Sequence, residues 1–211
     1  QGSGGLHVAS QEFMDAIQKF CDHHNALLIV DEVQTGVART GKMFGFEHYE
    51  VEPDIIGMAK AMGGGFPIGA MVCRKKIAET MSYGDHGSTY GGNPLACAAS
   101  LAALNTVIDE NLTEQSAEKG DFLKKKINDL STDVSEIVDI RGQGLMIGVE
   151  LSFEGRTVVE EMMHQGILSN CTQGNVMRLV PPLITKQNDL ATIADVLIDA
   201  IQKNIPTDKT N

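Results

Sequence analysis

Apolar residues in the first half of the chain occur either at helical spacing or in short runs. Phe13, Ile17 and Phe20 follow a near-helical period, and Ser10 precedes them where a helix N-cap is preferred. Three short apolar runs come next, at residues 26–30, 51–58 and 68–73. The first run is apolar on both faces, which is typical of a buried parallel strand. This alternation predicts a layered α/β domain.

From Asn93 onward the pattern changes. The Ala-rich residues 94–104 predict a long, tightly packed helix, and residues 114–130 predict an amphipathic one. The pattern then predicts two strands around a glycine turn at residues 137–151 and a helix at 158–164. A strand at 176–180 and a closing helix at 188–203 follow. This succession indicates a smaller α+β unit. We place the boundary near Thr106, which divides the chain into domains 1–105 and 106–211.

Composition narrows the class of protein. The chain has 211 residues, of which 42% are hydrophobic, so a sizeable core is expected. Its formal charge of −11 argues against nucleic acid or an anionic membrane as a partner. No apolar run approaches the roughly 18 residues that a membrane span needs. Cys21, Cys73, Cys97 and Cys171 form no CxxC pair, which favours free thiols in a reducing compartment over a disulfide framework or a metal site.

Lys60 has an unusual setting, AKAMGGGFPIG at residues 59–69. It follows an apolar run and precedes three consecutive glycines, which a helix disfavours. Desolvation by apolar neighbours favours a neutral amine, which can attack a carbonyl and form a Schiff base. The glycines would let the backbone approach a bulky group closely or take positive φ. A lone lysine is more often a surface residue beside a flexible loop, so this chemistry requires companion residues.

Two further segments supply such companions. Asp31 follows the run 26–30, at the end where ligands of open parallel sheets bind, and an acid there can pair with a ring nitrogen cation. The segment HGSTYGGNP at residues 86–94 places hydroxyl residues among glycines ahead of a predicted helix, which suits a phosphate. Taken singly, an acid such as Asp31 more often ends a strand or caps the next element. A segment such as 86–94 is more often a glycine-rich turn with a helix cap.

Together the segments resemble the signature of the class III aminotransferases. DEVQTGVARTGKMF at residues 31–44, PDIIGMAKAMGGGFPIGA at 53–70 and HGSTYGGNPLACAAS at 86–100 stand in that family's order and at its usual spacing. Three ordered segments are far more specific than one motif. The resemblance implies an α/β, pyridoxal-phosphate enzyme of fold type I. The chain would form the second part of the large, mainly parallel-sheet domain and then the small α+β C-terminal domain.

The resemblance implies individual roles in cofactor binding. Lys60 would attach the cofactor covalently and move the reaction's proton, and Asp31 would keep the pyridine nitrogen protonated, so that the ring is an electron sink. The cofactor-binding residues would be Asp31, Glu32, Val33, Gln34, Lys60 and Thr89. Val33 would pack on one ring face and Gln34 would hydrogen-bond the ring hydroxyl. Thr89 would bind the phosphate of the cofactor in the neighbouring subunit of a homodimer.

The resemblance also implies that two residues bind the substrate. Ser88 would lie near the substrate, and Arg178, in NVMRLVPPL, matches the family arginine that pairs with the substrate α-carboxylate. Its planar fork suits a bidentate carboxylate. The family's QGE loop reads Gln1-Gly2-Ser3 here. Gating of Arg178 by that glutamate, as in ornithine-type relatives, is therefore not expected.

The resemblance covers only the C-terminal part of a family member. Residues 1–5 lack an initial methionine and read as the middle of a loop, so we expect a fragment or a processed chain. The family's N-terminal half supplies a Gly-Thr phosphate cup, an aromatic ring over the cofactor and a second substrate arginine. None of these has a counterpart in the sequence, so the chain alone is expected to lack a competent active site.

The segments 86–98 and 169–172, with NVMRLVPPL, most resemble acetylornithine aminotransferases. The resemblance implies a cytoplasmic enzyme of arginine biosynthesis that exchanges an amino group between N-acetylornithine and 2-oxoglutarate or glutamate. Ornithine, 4-aminobutyrate and succinylornithine aminotransferases stay open as alternatives. So do a non-catalytic fragment or split-chain subunit, another class III activity such as an aminomutase or racemase, and a simple α/β binding module.

Overall fold

The computed structural model describes residues 1–206. They form two compact units. The Lys60 unit comprises Ala9–Thr113, and the Arg178 unit comprises Gln1–Val8 together with the chain from Glu114 onward. A helix at Pro94–Asp109 crosses the position where the sequence places a domain boundary. The assignment of residues 1–105 and 106–211 to two family domains stays a prediction.

The Lys60 unit contains three strands and three α-helices among its described residues. In chain order they are α1 (Gln11–His24), β1 (Ile29–Asp31), β2 (Ile55–Met58), β3 (Ala70–Cys73), α2 (Lys75–Ala78) and α3 (Pro94–Asp109). Short 3-10 helices lie at Gly45–His48 and Lys60–Gly63. The sheet order is β1-β2-β3, with β1 parallel and β3 antiparallel to β2. The predicted α/β layering is confirmed.

Helix α1 begins where its sequence predicts. The Ser10 hydroxyl accepts a hydrogen bond from the Phe13 N–H at 3.2 Å, which satisfies one of the free donors of the first turn. The helix ends at Asn25, which has a left-handed φ of 51°. Cys21 of α1 packs with Leu28 and Val51 in a small apolar cluster.

Burial in the Lys60 unit differs from the sequence prediction. The run 26–30 was expected to be buried on both faces, yet Ile29 is 63% exposed. The parallel pairing of β1 with β2 is as predicted, but the burial is not, because no described element of this unit packs on the face of the sheet that carries Ile29. The predicted helix at residues 94–104 is confirmed, but it is not tightly packed all round, since Leu95 and Leu101 are exposed.

The Arg178 unit is an antiparallel sheet with helices. Its elements are α4 (Leu112–Leu130), which begins two residues before the unit does, β4 (Ile137–Gln143), β5 (Met146–Leu151), α5 (Arg156–His164), β6 (Asn170–Thr172), β7 (Val176–Leu179) and α6 (Gln187–Lys203). The strand order is β4-β5-β7-β6. The predicted α+β pattern is confirmed. Strand β6 was missed because its three residues, NCT, carry no apolar run.

Alternation along β5 and β7 separates the two faces of this sheet. Ile147, Val149 and Leu151 of β5, with Met177 and Leu179 of β7, join the main core, to which the helices contribute Leu123, Ile127, Met162, Leu197 and Ile201. Each such fully buried side chain stabilises the fold by about 1.5–3 kcal/mol. The opposite face carries Met146, Val176 and Leu6, which form a separate small cluster. Within residues 1–206 no helix has the length and apolar character to cross a bilayer.

Candidate active site

Asp31 and Lys60 lie at the same edge of the Lys60 unit's sheet. Asp31 is the last residue of β1 and pairs with Gly57 of β2, and Lys60 follows the end of β2 by two residues. Because β1 and β2 are parallel, their carboxyl ends meet at one edge, where open α/β sheets bind ligands. The structure therefore places the acid and the amine that the sequence singles out at the same sheet edge.

The Asp31 carboxylate is held from one side. Its Oδ1 atom accepts a hydrogen bond from the Val33 N–H at 2.9 Å, and the side chain is exposed. Its Oδ2 atom has no hydrogen-bond partner among the described residues. One oxygen thus orients the carboxylate and the other is available to a ligand.

Glu32 faces inward, unlike Asp31. It is 3% exposed. Its carboxylate accepts hydrogen bonds from the N–H groups of Gly45 and Phe46, both at 2.8 Å, and from the Thr35 hydroxyl. These bonds tie the loop after β1 to the 3-10 helix at Gly45–His48. Its carboxylate is therefore occupied by its own loop, and a part for Glu32 in cofactor binding stays a prediction.

Lys60 is exposed and begins a 3-10 helix with a left-handed φ of 48°. A non-glycine residue rarely adopts this conformation, and such strain concentrates at functional sites. The desolvation predicted from its apolar neighbours is wrong for the described residues. Those neighbours lie along the backbone and leave the side chain uncovered.

Two of the glycines after Lys60 are explained by packing within the unit. A Cβ at Gly63 would stand 2.8 Å from Ile68 Cγ2, and one at Gly64 would stand 3.0 Å from Ala103 Cβ of α3. Gly64 also has a φ of 58°. A Cβ at Gly65 would meet no atom within 4 Å. Gly65 has a φ of 105°, so the prediction that these glycines take positive φ is confirmed at Gly64 and Gly65, while close approach of a bulky group stays a prediction.

The segment before α3 is exposed throughout residues 84–92. Asn93 caps the helix by accepting the Ala96 N–H at 3.0 Å, and the Ser88 hydroxyl accepts the Gly91 N–H at 2.8 Å. Thr89 makes no hydrogen bond to any described residue. The cap is thus an asparagine, and Thr89 stays available to a ligand such as a phosphate.

Arg178 belongs to the other unit, on the face of β7 opposite the main core. Its Nε–H donates to Asn170 Oδ1 at 3.0 Å, and it forms no ion pair among the described residues. It lines a cavity of about 410 Å³ whose other lining residues carry no charge. Arg178 is recognisable from the sequence, whereas Asn170 is not, because its only signal is its place in the segment 169–172.

A strained turn lies within residues 31–44, where the sequence pattern did not predict one. Val37 and Ala38 are buried and have left-handed φ angles of 56° and 66°. For a β-branched residue such as Val37 this conformation is an outlier. Burial lowers the pKa of the neighbouring Arg39 guanidinium. Burial likewise lowers the pKa of His48, whose Nε2 lies 3.1 Å from the Thr40 hydroxyl. The four cysteines are free, as the sequence predicts.

Comparisons with known proteins show the family to which this chain is similar. A family profile described as aminotransferase class-III matches residues 1–201. The acetylornithine aminotransferase of Methanocaldococcus jannaschii is 47% identical over 203 residues, which cover 96% of this chain and 50% of that protein. The chain spans about half the length of the curated relatives it matches.

Two solved structures share the fold. The acetylornithine aminotransferase from Elizabethkingia anophelis has a TM-score of 0.89 and 35% identity, covering 96% of this chain and 55% of that one. The ornithine aminotransferase from Toxoplasma gondii has a TM-score of 0.90 and 36% identity, covering 96% and 49%. That structure is described with partial occupancy of PLP at its active site.

Proposed function

Because the chain belongs to the class III aminotransferase family, whose members depend on pyridoxal phosphate, we propose that it contributes the catalytic lysine and the ring-binding acid of a transaminase. The observation that carries the proposal is that Asp31 lies at the carboxyl end of β1 and Lys60 just beyond the carboxyl end of the adjacent parallel strand β2. This edge offers an amine to the cofactor's aldehyde and a carboxylate to its ring nitrogen. The residues present therefore fit the cofactor.

When bound, the cofactor supplies an electron sink for the carbon that loses its proton. Asp31 would hold a proton on the ring nitrogen through the carboxylate oxygen that Val33 leaves available. A charge-assisted hydrogen bond of this kind keeps the cationic ring nitrogen protonated. Val33 would pack on the ring, and Gln34 would donate to its hydroxyl oxygen. Glu32 would keep this loop in place.

Lys60 would hold the cofactor in the resting enzyme and, once its amine is released, would take up and return the proton that moves during the reaction. A lysine can serve both tasks because its amine is a nucleophile when neutral and a proton donor when charged. The left-handed backbone at Lys60 sets the direction in which the side chain leaves the sheet edge. The exposed side chain is free to reach a ligand there.

We further propose a homodimer in which Thr89 binds the phosphate of the partner's cofactor, with Ser88 near the substrate. The exposure of residues 84–92 and the unbonded Thr89 hydroxyl support this proposal. Arg178 would bind the substrate α-carboxylate. Its support is an arginine without an ion pair beside a largely apolar cavity.

For the substrates, we propose N-acetylornithine as the amino donor and 2-oxoglutarate as the acceptor, in arginine biosynthesis. The relatives named acetylornithine aminotransferase support this choice, with ornithine as the nearest alternative donor. Four free thiols suit a reducing cytoplasm. Product analysis with each amino donor decides between the two substrates.

Replacement of Lys60 tests the catalytic proposal. In the purified holoenzyme, Lys60→Ala should abolish the visible band of the covalently bound cofactor and lower turnover at least about a thousandfold. Borohydride reduction followed by peptide mass mapping should place the cofactor on the Lys60 peptide of the wild type. Lys75→Ala, at a fully solvated lysine on α2, is the matched control and should leave both signals unchanged. Normal turnover by Lys60→Ala would refute the proposal.

A further inference from the structure

Arg178 has one side chain directly opposite it on its own face of the sheet. Strand β7 lies between β5 and β6, and Arg178 pairs with Gly148 on one side and Asn170 on the other. Residues directly opposite in antiparallel strands project from the same face. Because Gly148 has no side chain, Asn170 is the cross-strand neighbour that can contact the guanidinium.

Asn170 binds one particular nitrogen of Arg178. The Arg178 Nε–H donates to Asn170 Oδ1 at 3.0 Å. Nε of arginine is always a donor, so only the carbonyl oxygen of the amide can face it. The bond defines the guanidinium plane and leaves the two terminal nitrogens, Nη1 and Nη2, for other partners.

The nearest acid along β5 on this face is already engaged. Glu150 follows Gly148 by two residues and pairs with Val176 rather than Arg178. Its Oε2 atom lies 2.5 Å from Nη1 of Arg141, which is mostly buried and also donates to the Gly5 carbonyl. Arg141 therefore holds the carboxylate that would otherwise be free to neutralise Arg178.

The cavity beside Arg178 should strengthen carboxylate binding by a guanidinium whose orientation is fixed. Its lining includes Ile167, Leu168, Pro181 and Pro182, and Arg178 is the charged residue among them. A charge beside apolar walls interacts more strongly with an incoming carboxylate than a fully solvated charge does. A flexible arginine would lose part of this gain to the entropy of ordering its side chain.

We propose that Asn170 is a positioning residue that restricts Arg178 to end-on binding of the substrate carboxylate through Nη1 and Nη2. Side-on binding requires Nε, which Asn170 occupies. The ligand class is an α-carboxylate of a keto or amino acid. This inference rests on the proposed function, in which Arg178 binds that group, so the test includes a variant of each residue.

The experiment measures binding and turnover in the holoenzyme. For Asn170→Ala, both KM for 2-oxoglutarate and Kd for glutarate, an unreactive dicarboxylate followed by the cofactor's absorbance, should rise about 5- to 10-fold, since one charge-assisted bond is lost. The value of kcat should stay within about twofold, because Asn170 does not touch the reacting atoms. Asn170→Asp should raise both constants further, because a carboxylate at this position neutralises the guanidinium.

Matched variants separate the possible outcomes. Asn175→Ala removes an amide just before β7 that donates to the Leu151 carbonyl at 2.8 Å, and it should lower Tm without changing either constant. Arg178→Ala should raise both constants about 100-fold. If Arg178→Ala raises them and Asn170→Ala does not, the positioning role is refuted while the carboxylate role stands. If Arg178→Ala has no effect, both are refuted. Binding by Asn170→Asp as tight as that of the wild type would also overturn the inference.

Discussion

The buried carboxylate of Glu32 should determine the local stability of the loop that carries Val33 and Gln34. It accepts two backbone N–H bonds at 2.8 Å, from Gly45 and Phe46, and a third bond from the Thr35 hydroxyl. In Glu32→Gln one oxygen becomes an NH2 group of nearly the same shape. Whichever way the amide turns, at least one backbone N–H then faces a donor instead of an acceptor.

The expected cost follows from that single lost bond. A hydrogen bond to a charged group contributes about 1.5–3 kcal/mol, which corresponds to roughly a 10- to 100-fold change in an opening equilibrium. Native-state hydrogen exchange measures this directly at the Gly45 and Phe46 amides. Glu32→Gln should therefore accelerate their exchange by about that factor, while amides of α6 stay unchanged.

Glu47 offers a matched control in the same loop. Its carboxylate accepts the Phe44 N–H at 2.9 Å, but the side chain is exposed. Water can replace an exposed acceptor, so Glu47→Gln should change exchange at Gly45 and Phe46 by less than about threefold. Equal effects of the two variants, or unchanged exchange in Glu32→Gln, would refute the reasoning that burial makes Glu32 the anchor of this loop.

Two further predictions concern stability. The pKa of Asp54 is lowered, first by the Leu28 N–H and then by Lys76 and Arg74. The ionised Asp54 carboxylate therefore stabilises the folded state above the ordinary pKa of about 3.9, and this stabilisation is lost as pH falls through the lower folded-state pKa. Asp54→Asn should accordingly lower Tm at pH 7 and make Tm fall less steeply as the solution is acidified. If Tm of the variant fell with acidification as steeply as that of the wild type, this prediction would be contradicted. Gly64→Ala should lower stability by at least about 1 kcal/mol, because φ is 58° and the new Cβ meets Ala103. Gly87→Ala is its control, because Gly87 has open space around it and no positive φ. If both variants lost the same free energy of unfolding in urea, the packing argument would be contradicted.

Local pattern was sufficient for most elements of the fold. Helices α1, α4 and α6 and the β4–β5 pair were predicted from apolar period, caps and a glycine turn, all of which depend on neighbours in sequence. The placement of Asp31 and Lys60 at one sheet edge was also predictable, because parallel strands align their carboxyl ends. Burial of β1 was predicted wrongly, since the apolar run at residues 26–30 does not reveal how many strands and layers surround it.

Other features depended on which distant residues meet. Neighbouring acids at positions 31 and 32 look alike in sequence, yet the pleat turns Asp31 outward and Glu32 toward amides more than ten residues away. Gly64 is required by Ala103 of α3, and Arg178 meets Asn170 through the register of β6 on β7. Residue type therefore identified the amine, the acid and the arginine, whereas long-range pairing decided what orients them, because contacts between distant segments leave no local pattern.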